Sequence, residues 1–287
     1  MYRFATVNDV HIGETGFGAF REMHEPDDVD PPYPVRCLRA AVHEAVAWGA
    51  QRIIAKGDLT DEGAPQEFLA FADIVGEGGV PVEAILGNHD VVAMAANGPA
   101  VLRARGMPVA TRTEAFDVPG LRIILLPSAQ PDRSHHRGWW LESDRERALA
   151  FVRAVDTPVF IATHHYPQRW NLITEYPSGV PRRDAKPFLD ALDAARPGAV
   201  IACGHTHRHH RRHYKSLLIT EIGSTKDYPG VWAGYVVYEG GLRQIVRRVA
   251  EPSARAWTDR TGRALFGTWR FWAPGLRSHR NWTWTWP

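Results

Sequence analysis

The chain has 287 residues, long enough for one large α/β domain or two small ones. A hydrophobic share of 44%, a charged share of 23% and a net charge of +2 suit a globular enzyme. They exclude the strong basic excess of a dedicated nucleic-acid binder. Two cysteines, Cys37 and Cys203, exclude a disulfide scaffold, and no apolar run approaches the ~20 residues that span a membrane.

The first apolar strand is expected over 2–7 and runs into Asn8-Asp9-Val10-His11. No basic-then-apolar leader precedes it, so the cytoplasm is the expected compartment. Residues 13–34, rich in Gly, Pro and acids, read as a long loop; its Gly13, Gly16 and Gly18 lack the dinucleotide-binding spacing. A helix over 35–48 leads to a strand over 52–55, closed by Gly57-Asp58-Leu59-Thr60-Asp61. A helix over 65–75 precedes a strand over 80–86, which ends in Gly87-Asn88-His89-Asp90. Next come a strand over 121–126, a helix over 142–155 and a strand over 159–162 that ends at His164-His165. A helix over 185–195 precedes a strand over 199–202 and its terminal Gly204-His205-Thr206-His207. Beyond about residue 205 the helical patterns stop, and strands over 216–220 and 235–238 are expected to pair as hairpins.

Near-continuous apolar strands alternating with helices argue for a layered α/β architecture. Residues 251–287 differ from the rest. They hold six of the eleven tryptophans, including the alternating Trp282, Trp284 and Trp286. Such a segment is too aromatic for a solvated tail and is expected to pack on the body or on a neighbouring subunit, giving a homo-oligomer. The expected division is a catalytic domain over 1–250 and a C-terminal extension over 251–287.

Ligands of α/β sheets bind beyond the carboxyl ends of the strands. Five strand ends here carry chemistry, gathering two to three carboxylates, one amide and four or five imidazoles. Carboxylates brought so close repel one another, and bound cations resolve that conflict. A mixed oxygen and nitrogen set without thiolate suits Mn, Fe or Zn, with Co a further candidate, better than Ca or Mg. Asp58 is placed to bridge two ions ~3.5–4 Å apart. Gly57, Gly87 and Gly204 are expected to let the backbone turn sharply there. Either His164 or His165 can supply the fifth-strand ligand.

The ordered series Asp-x-His, Gly-Asp-x-x-Asp, Gly-Asn-His-Asp, His-His and Gly-His-Thr-His resembles the calcineurin-like metallophosphoesterases, over roughly residues 2–240. Within them it looks most like the class III cyclic nucleotide phosphodiesterase and glycerophosphodiesterase branch. The resemblance implies a layered β-sandwich flanked by helices, with a dinuclear metal site at the carboxyl ends of the strands. Asp9, His11, Asp58 and His207 would hold one cation, with Asp58 bridging to a second held by Asn88, His164 and His205; the family register selects His164 over His165. It implies catalytic roles for Asn88 and for His89, which would face the leaving group, with Asp90 orienting it. The reaction implied is hydrolysis of a small-molecule phosphodiester by a metal-bound hydroxide. Asn8 departs from the family's usual Ser or Thr. The tyrosine of purple acid phosphatases and the Asp-Arg-Gly of protein phosphatases are absent.

A phosphomonoesterase or broad-range phosphatase is the alternative. A nuclease is disfavoured for want of a basic track, and a non-catalytic interaction module has no reason to retain every ligand and His89. His165, His135 and His136 are candidate substrate contacts, with Arg133, Arg137, Arg182 and Arg183 nearby in sequence. The run from Arg208 to His213 reads more simply as a solvated basic hairpin.

Overall fold

A computed structural model describes residues 1–13, 16–17, 23, 29–92, 97–131, 137–170 and 177–287. Strand β1 (Tyr2–Val7) shows how the sequence builds it. Its period of two sends Phe4 into one apolar cluster and Ala5 and Val7 into another, so both faces are covered. Ile53 and Ile54 of β2 (Ile53–Lys56) divide in the same way.

β2 pairs in parallel with β1 and with β3 (Val82–Ile85), which pairs with β4 (Val109–Ala110). On its other side β1 meets β11 (Val231–Tyr238) antiparallel, followed by β12 (Gly241–Arg248) and β13 (Trp282–Thr285). The second sheet holds β5 (Glu114–Val118), β6 (Leu121–Leu125), β7 (Val159–Ala162), β8 (Val200–Cys203), β9 (His210–Tyr214) and β10 (Leu217–Glu221). Its order is β5-β6-β7-β8-β10-β9. β6, β7 and β8 run parallel, as do β1, β2 and β3.

The sheets face each other. Phe4 lies between them, stacked on Tyr235 at 4.8 Å and edge-on to Phe160 at 5.2 Å. Helices α1 (Tyr33–Ala47), α2 (Pro65–Gly76) and α3 (Gly98–Ala104) cover the outer face of the first sheet through residues such as Leu38, Phe68 and Leu102. Helices α4 (Glu142–Arg153) and α5 (Arg182–Ala195) cover the second sheet with Val152, Phe188 and Leu192. The result is a helix–sheet–sheet–helix sandwich. Both cysteines are buried free thiols. No helix among the described residues is long and apolar enough to cross a membrane.

Helices do not end near residue 205. The chain continues into α6 (Pro252–Thr261), α7 (Trp269–Trp272) and α8 (Arg277–Arg280). Buried Ala254, Trp257, Thr258 and Thr261 follow the i, i+3, i+4, i+7 stripe of an amphipathic helix, a signal masked by the polar residues between them. Trp257 joins the core beside the first sheet, and β13 extends that sheet through Gln244–Trp282 and Leu242–Trp284 pairing. Arg182 and Arg183 open α5 rather than lying in the preceding loop.

Candidate metal centre

Backbone conformation marks the strand ends before any side chain is considered. Asp9, His11, Asp58, His205 and His207 have φ of +52°, +49°, +48°, +70° and +53°. A left-handed residue with a side chain costs about 1–2 kcal/mol, and such strain gathers at functional sites because the surrounding fold over-determines it. Gly57 turns with φ +83°. Gly87 serves close approach instead of a turn, since a Cβ there would lie 2.1 Å from Asp58 Oδ1 and 2.3 Å from Asp58 N. Gly204 similarly lies against the Asp9 carboxylate, 2.9 Å from an added Cβ.

The side chains converge in linked groups. Ligand atoms of Asp9, His11, Asp58 and His207 lie within 4.8 Å of one another, as do those of His164, His165 and His205. Asp58 stands between the groups. Its Oδ2 is 3.7 Å from His11 Nε2 and 3.2 Å from His164 Nε2, which is also 3.2 Å from Asn88 Oδ1. All seven residues expected as ligands are therefore brought together.

The donor set fits cations on an observation independent of its composition. His11 Nε2 and His207 Nε2 face each other at 3.3 Å, while their Nδ1 atoms are held by Asp61 at 3.1 Å and Asp227 at 2.7 Å. With Nδ1–H donated to a carboxylate, each neutral ring turns an Nε2 lone pair inward, an arrangement that a shared cation satisfies. Among the described residues, buried His205 Nε2 and His165 Nε2 have no hydrogen-bond partner. Burial and neighbouring histidine charge hold both rings well below the ordinary imidazole range, in the neutral form that binds metals. Burial raises Asp9, whose carboxylate is fully enclosed. On His164 burial opposes protonation, but Asp58 outweighs it and lifts the ring to about 9.

His89 lies at the rim, with a third of its side chain exposed. Its Nδ1 donates to the Asp61 carbonyl at 2.8 Å and lies 3.2 Å from Asp61 Oδ1. Burial again opposes the charge, and Asp58 and Asp61 override it to hold His89 at about 10. Asp90, expected to orient His89, makes its hydrogen bonds elsewhere among the described residues. Its oxygens accept from Leu59 N, Thr60 N, Thr60 Oγ1 and Gly87 N at 2.7–3.2 Å, stapling the second and third strand ends together. Four donors leave no lone pair directed at His89, and Asp61 takes that place.

His165 was expected to contact substrate, but it is fully buried with Nδ1 against Ser128 Oγ at 2.9 Å. It stands with the ligand group, because the strand end carrying it points inward. His135, His136 and Arg133 lie outside the described residues. Asp227, Ser128 and Lys56 are partners that the sequence reading missed. The ammonium of fully buried Lys56 donates to Cys203 O at 2.7 Å, and burial lowers it to about 8. Its own carbonyl accepts from His164 Nδ1 at 2.8 Å. Only their polarity marks Asp227 and Lys56 in the sequence; proximity comes from the fold.

The sequence profile of the calcineurin-like phosphoesterases matches residues 2–209. A "Probable cyclic nucleotide phosphodiesterase" of Rhodococcus erythropolis is 28% identical over 227 residues, covering 75% of this chain and 70% of that protein. One of the same description from a Synechococcus species is 28% identical over 191 residues, covering 63% of this chain and 69% of its own. Among solved structures, the purple acid phosphatase PPD1 of yellow lupin superposes with a TM-score of 0.59 at 12% identity, over 87% of this chain. This chain spans about half of the lupin protein, 52%, and at that identity the likeness is one of fold alone.

Proposed function

The chain belongs to the calcineurin-like phosphoesterase family, and we propose that it is a phosphodiesterase acting on small-molecule diesters of cyclic nucleotide or glycerophosphodiester type. The observation carrying this reading is the junction at Asp58 Oδ2, between the group around His11 and the one around His164. The relatives' description as probable cyclic nucleotide phosphodiesterases supports the diester preference.

Asp9, His11, Asp58 and His207 would hold one cation, and Asp58, Asn88, His164 and His205 another, each a transition metal of the Mn, Fe or Zn kind. Bound there, two cations supply charge that acidifies water and offsets negative charge on the phosphoryl oxygens. The chain's own residues supply the rest. Asp61 and Asp227 fix the tautomers of His11 and His207, so that both Nε2 atoms point inward. Asp61 also holds His89 Nδ1 and favours the charged ring, leaving its other ring nitrogen to donate to a departing alkoxide. Asn88, fixed beside His164, adds an amide dipole at the same edge.

The test is a panel of diesters with matched monoesters, assayed after chelation and with Mn, Fe, Zn or Co restored singly. Faster diester turnover with at least one metal is expected. In the same panel His89→Ala should lose about 10²–10⁴-fold in rate on alkyl leaving groups and less on nitrophenyl ones. Monoesters turned over faster than every diester would replace this reading with a phosphomonoesterase.

A further inference from the structure

Seven large apolar side chains are exposed among the described residues, and four of them, Phe266, Phe271, Trp272 and Leu276, fall within eleven consecutive positions. Such clustering exceeds the scattered apolar exposure of an ordinary surface and marks a contact site. Phe266 is fully exposed at 103%, and the backbone that presents it is strained: Leu265 and Phe266 have φ of +54° and +57°. Two bulky left-handed residues in a row cost about 1–2 kcal/mol each, so the outward turn of Phe266 is built against local preference. The same stretch is strongly cationic. Positions 260–287 contain five arginines and no acid. Of those arginines only Arg270 has a carboxylate within 4.0 Å among the described residues, Asp259 at 3.7 Å.

The segment is anchored beside the metal centre. Trp269 Nε1 donates to Tyr228 O at 3.0 Å, and its ring packs at 5.5 Å on Phe17, which stacks on His207 at 6.0 Å. The Arg208 guanidinium, next in sequence to His207, sits 5.2 Å over Trp272. Protruding phenylalanine, tryptophan and leucine among arginines are the composition of a surface that lies in a lipid headgroup layer. A second copy seated on the same face would set arginines against arginines, which disfavours a self-contact. We propose that residues 263–280 dock the protein on an anionic lipid bilayer, the four apolar side chains entering the interface and the arginines meeting headgroup phosphates. Docked so, the centre would meet phosphate esters at headgroup level, a consequence that rests on the phosphodiesterase reading.

The test sediments the full chain with phosphatidylcholine vesicles carrying about 30% phosphatidylglycerol. Binding is expected, weakened by salt and largely lost on pure phosphatidylcholine. Replacing Phe266→Ser with Phe271→Ser should weaken partitioning at least ~10-fold. Arg263→Gln with Arg277→Gln should weaken it about 25-fold at low salt, roughly fivefold for each arginine. Neither pair should alter hydrolysis of soluble bis-(para-nitrophenyl) phosphate, which also shows that the variants fold. Wild-type protein left in the supernatant, or an aromatic variant that binds as wild type does, overturns the proposal. If the aromatic variant instead lowers the mass in solution while wild type ignores vesicles, the patch is a contact between copies. Vesicle binding by a wild type that cleaves no soluble diester with any metal upholds docking and removes the phosphodiesterase reading.

Discussion

At the residue scale, candidate ligands His11 and His207 are each held at Nδ1 by a carboxylate outside the proposed ligand set. Asp227 is the clearest case, 2.7 Å from His207 Nδ1 and fully buried. Removing its charge while keeping its size should leave the fold intact but lower the basicity and fixity of one ligand. Asp227→Asn is therefore expected to weaken metal retention about 10–100-fold, read by dialysis against a graded metal buffer and elemental analysis. Retention equal to wild type would show that His207 needs no such partner. Nothing in the sequence announces Asp227, which follows Ser224-Thr225-Lys226 in a polar connection twenty positions after His207. The candidate ligands are legible because each sits immediately beyond an apolar strand, where α/β folds place their sites. Asp90 was misread for the complementary reason: adjacency to His89 suggests contact, whereas the short helical turn over His89–Val91 sends the carboxylate back to Thr60 and Gly87.

At the element scale, legibility followed apolar content. Strands β1, β2, β3, β6, β7, β8 and β10 are short apolar runs and were readable as such. β9, with the sequence His-Arg-Arg-His-Tyr, is an edge strand paired among the described residues with β10 alone, so it needs little apolar face and offers only Tyr214 to the core. β5, at the opposite edge, does turn Phe116 and Val118 onto the core, but Glu114 and Asp117 interrupt the apolar run. Strand ends also depend on glycines in ways a sequence cannot distinguish. Gly79, with φ +65°, has open space where a Cβ would stand, so Gly79→Ala should cost only about 1 kcal/mol and leave activity intact. Gly87→Ala meets the carboxylate and backbone of Asp58, and the strand ends must separate to admit it. Displacing a central side chain by around an ångström should lower kcat/KM by about 10²-fold, with a stability loss of roughly 1–3 kcal/mol. The pair is compared by thermal melts and steady-state kinetics. Gly87→Ala with kinetics like Gly79→Ala would mean that Asp58 is not held where the strands place it.

At the scale of the whole molecule, the centre joins two sheets. Asp9, His11, Asp58 and Asn88 follow strands of the first sheet, and His164, His205 and His207 follow strands of the second. Protein contacts already cross there, with Lys56 Nζ on Cys203 O at 2.7 Å and His205 N on Asp9 Oδ1 at 3.0 Å. Cations held by groups from both sheets would bind only the assembled sandwich, so their binding energy becomes folding stability. At a hundredfold excess over Kd one site contributes about 2.7 kcal/mol, which for a chain of this size is roughly 5–10 °C in Tm. Chelation should therefore lower Tm by about that much per site, with recovery on adding back the native metal. In Asp58→Ala, which removes the shared carboxylate, the chelator should have little left to act on. The effect carries a pH sign. His164, lifted to about 9, must release a proton to bind a cation, so metal-derived stability should grow as pH rises toward 9 and fade on acidification. Melting curves with and without chelator at several pH values decide the matter. A chelator shift that is absent throughout, or that grows as pH falls, would exclude a cation bound at His164 as the link between the sheets.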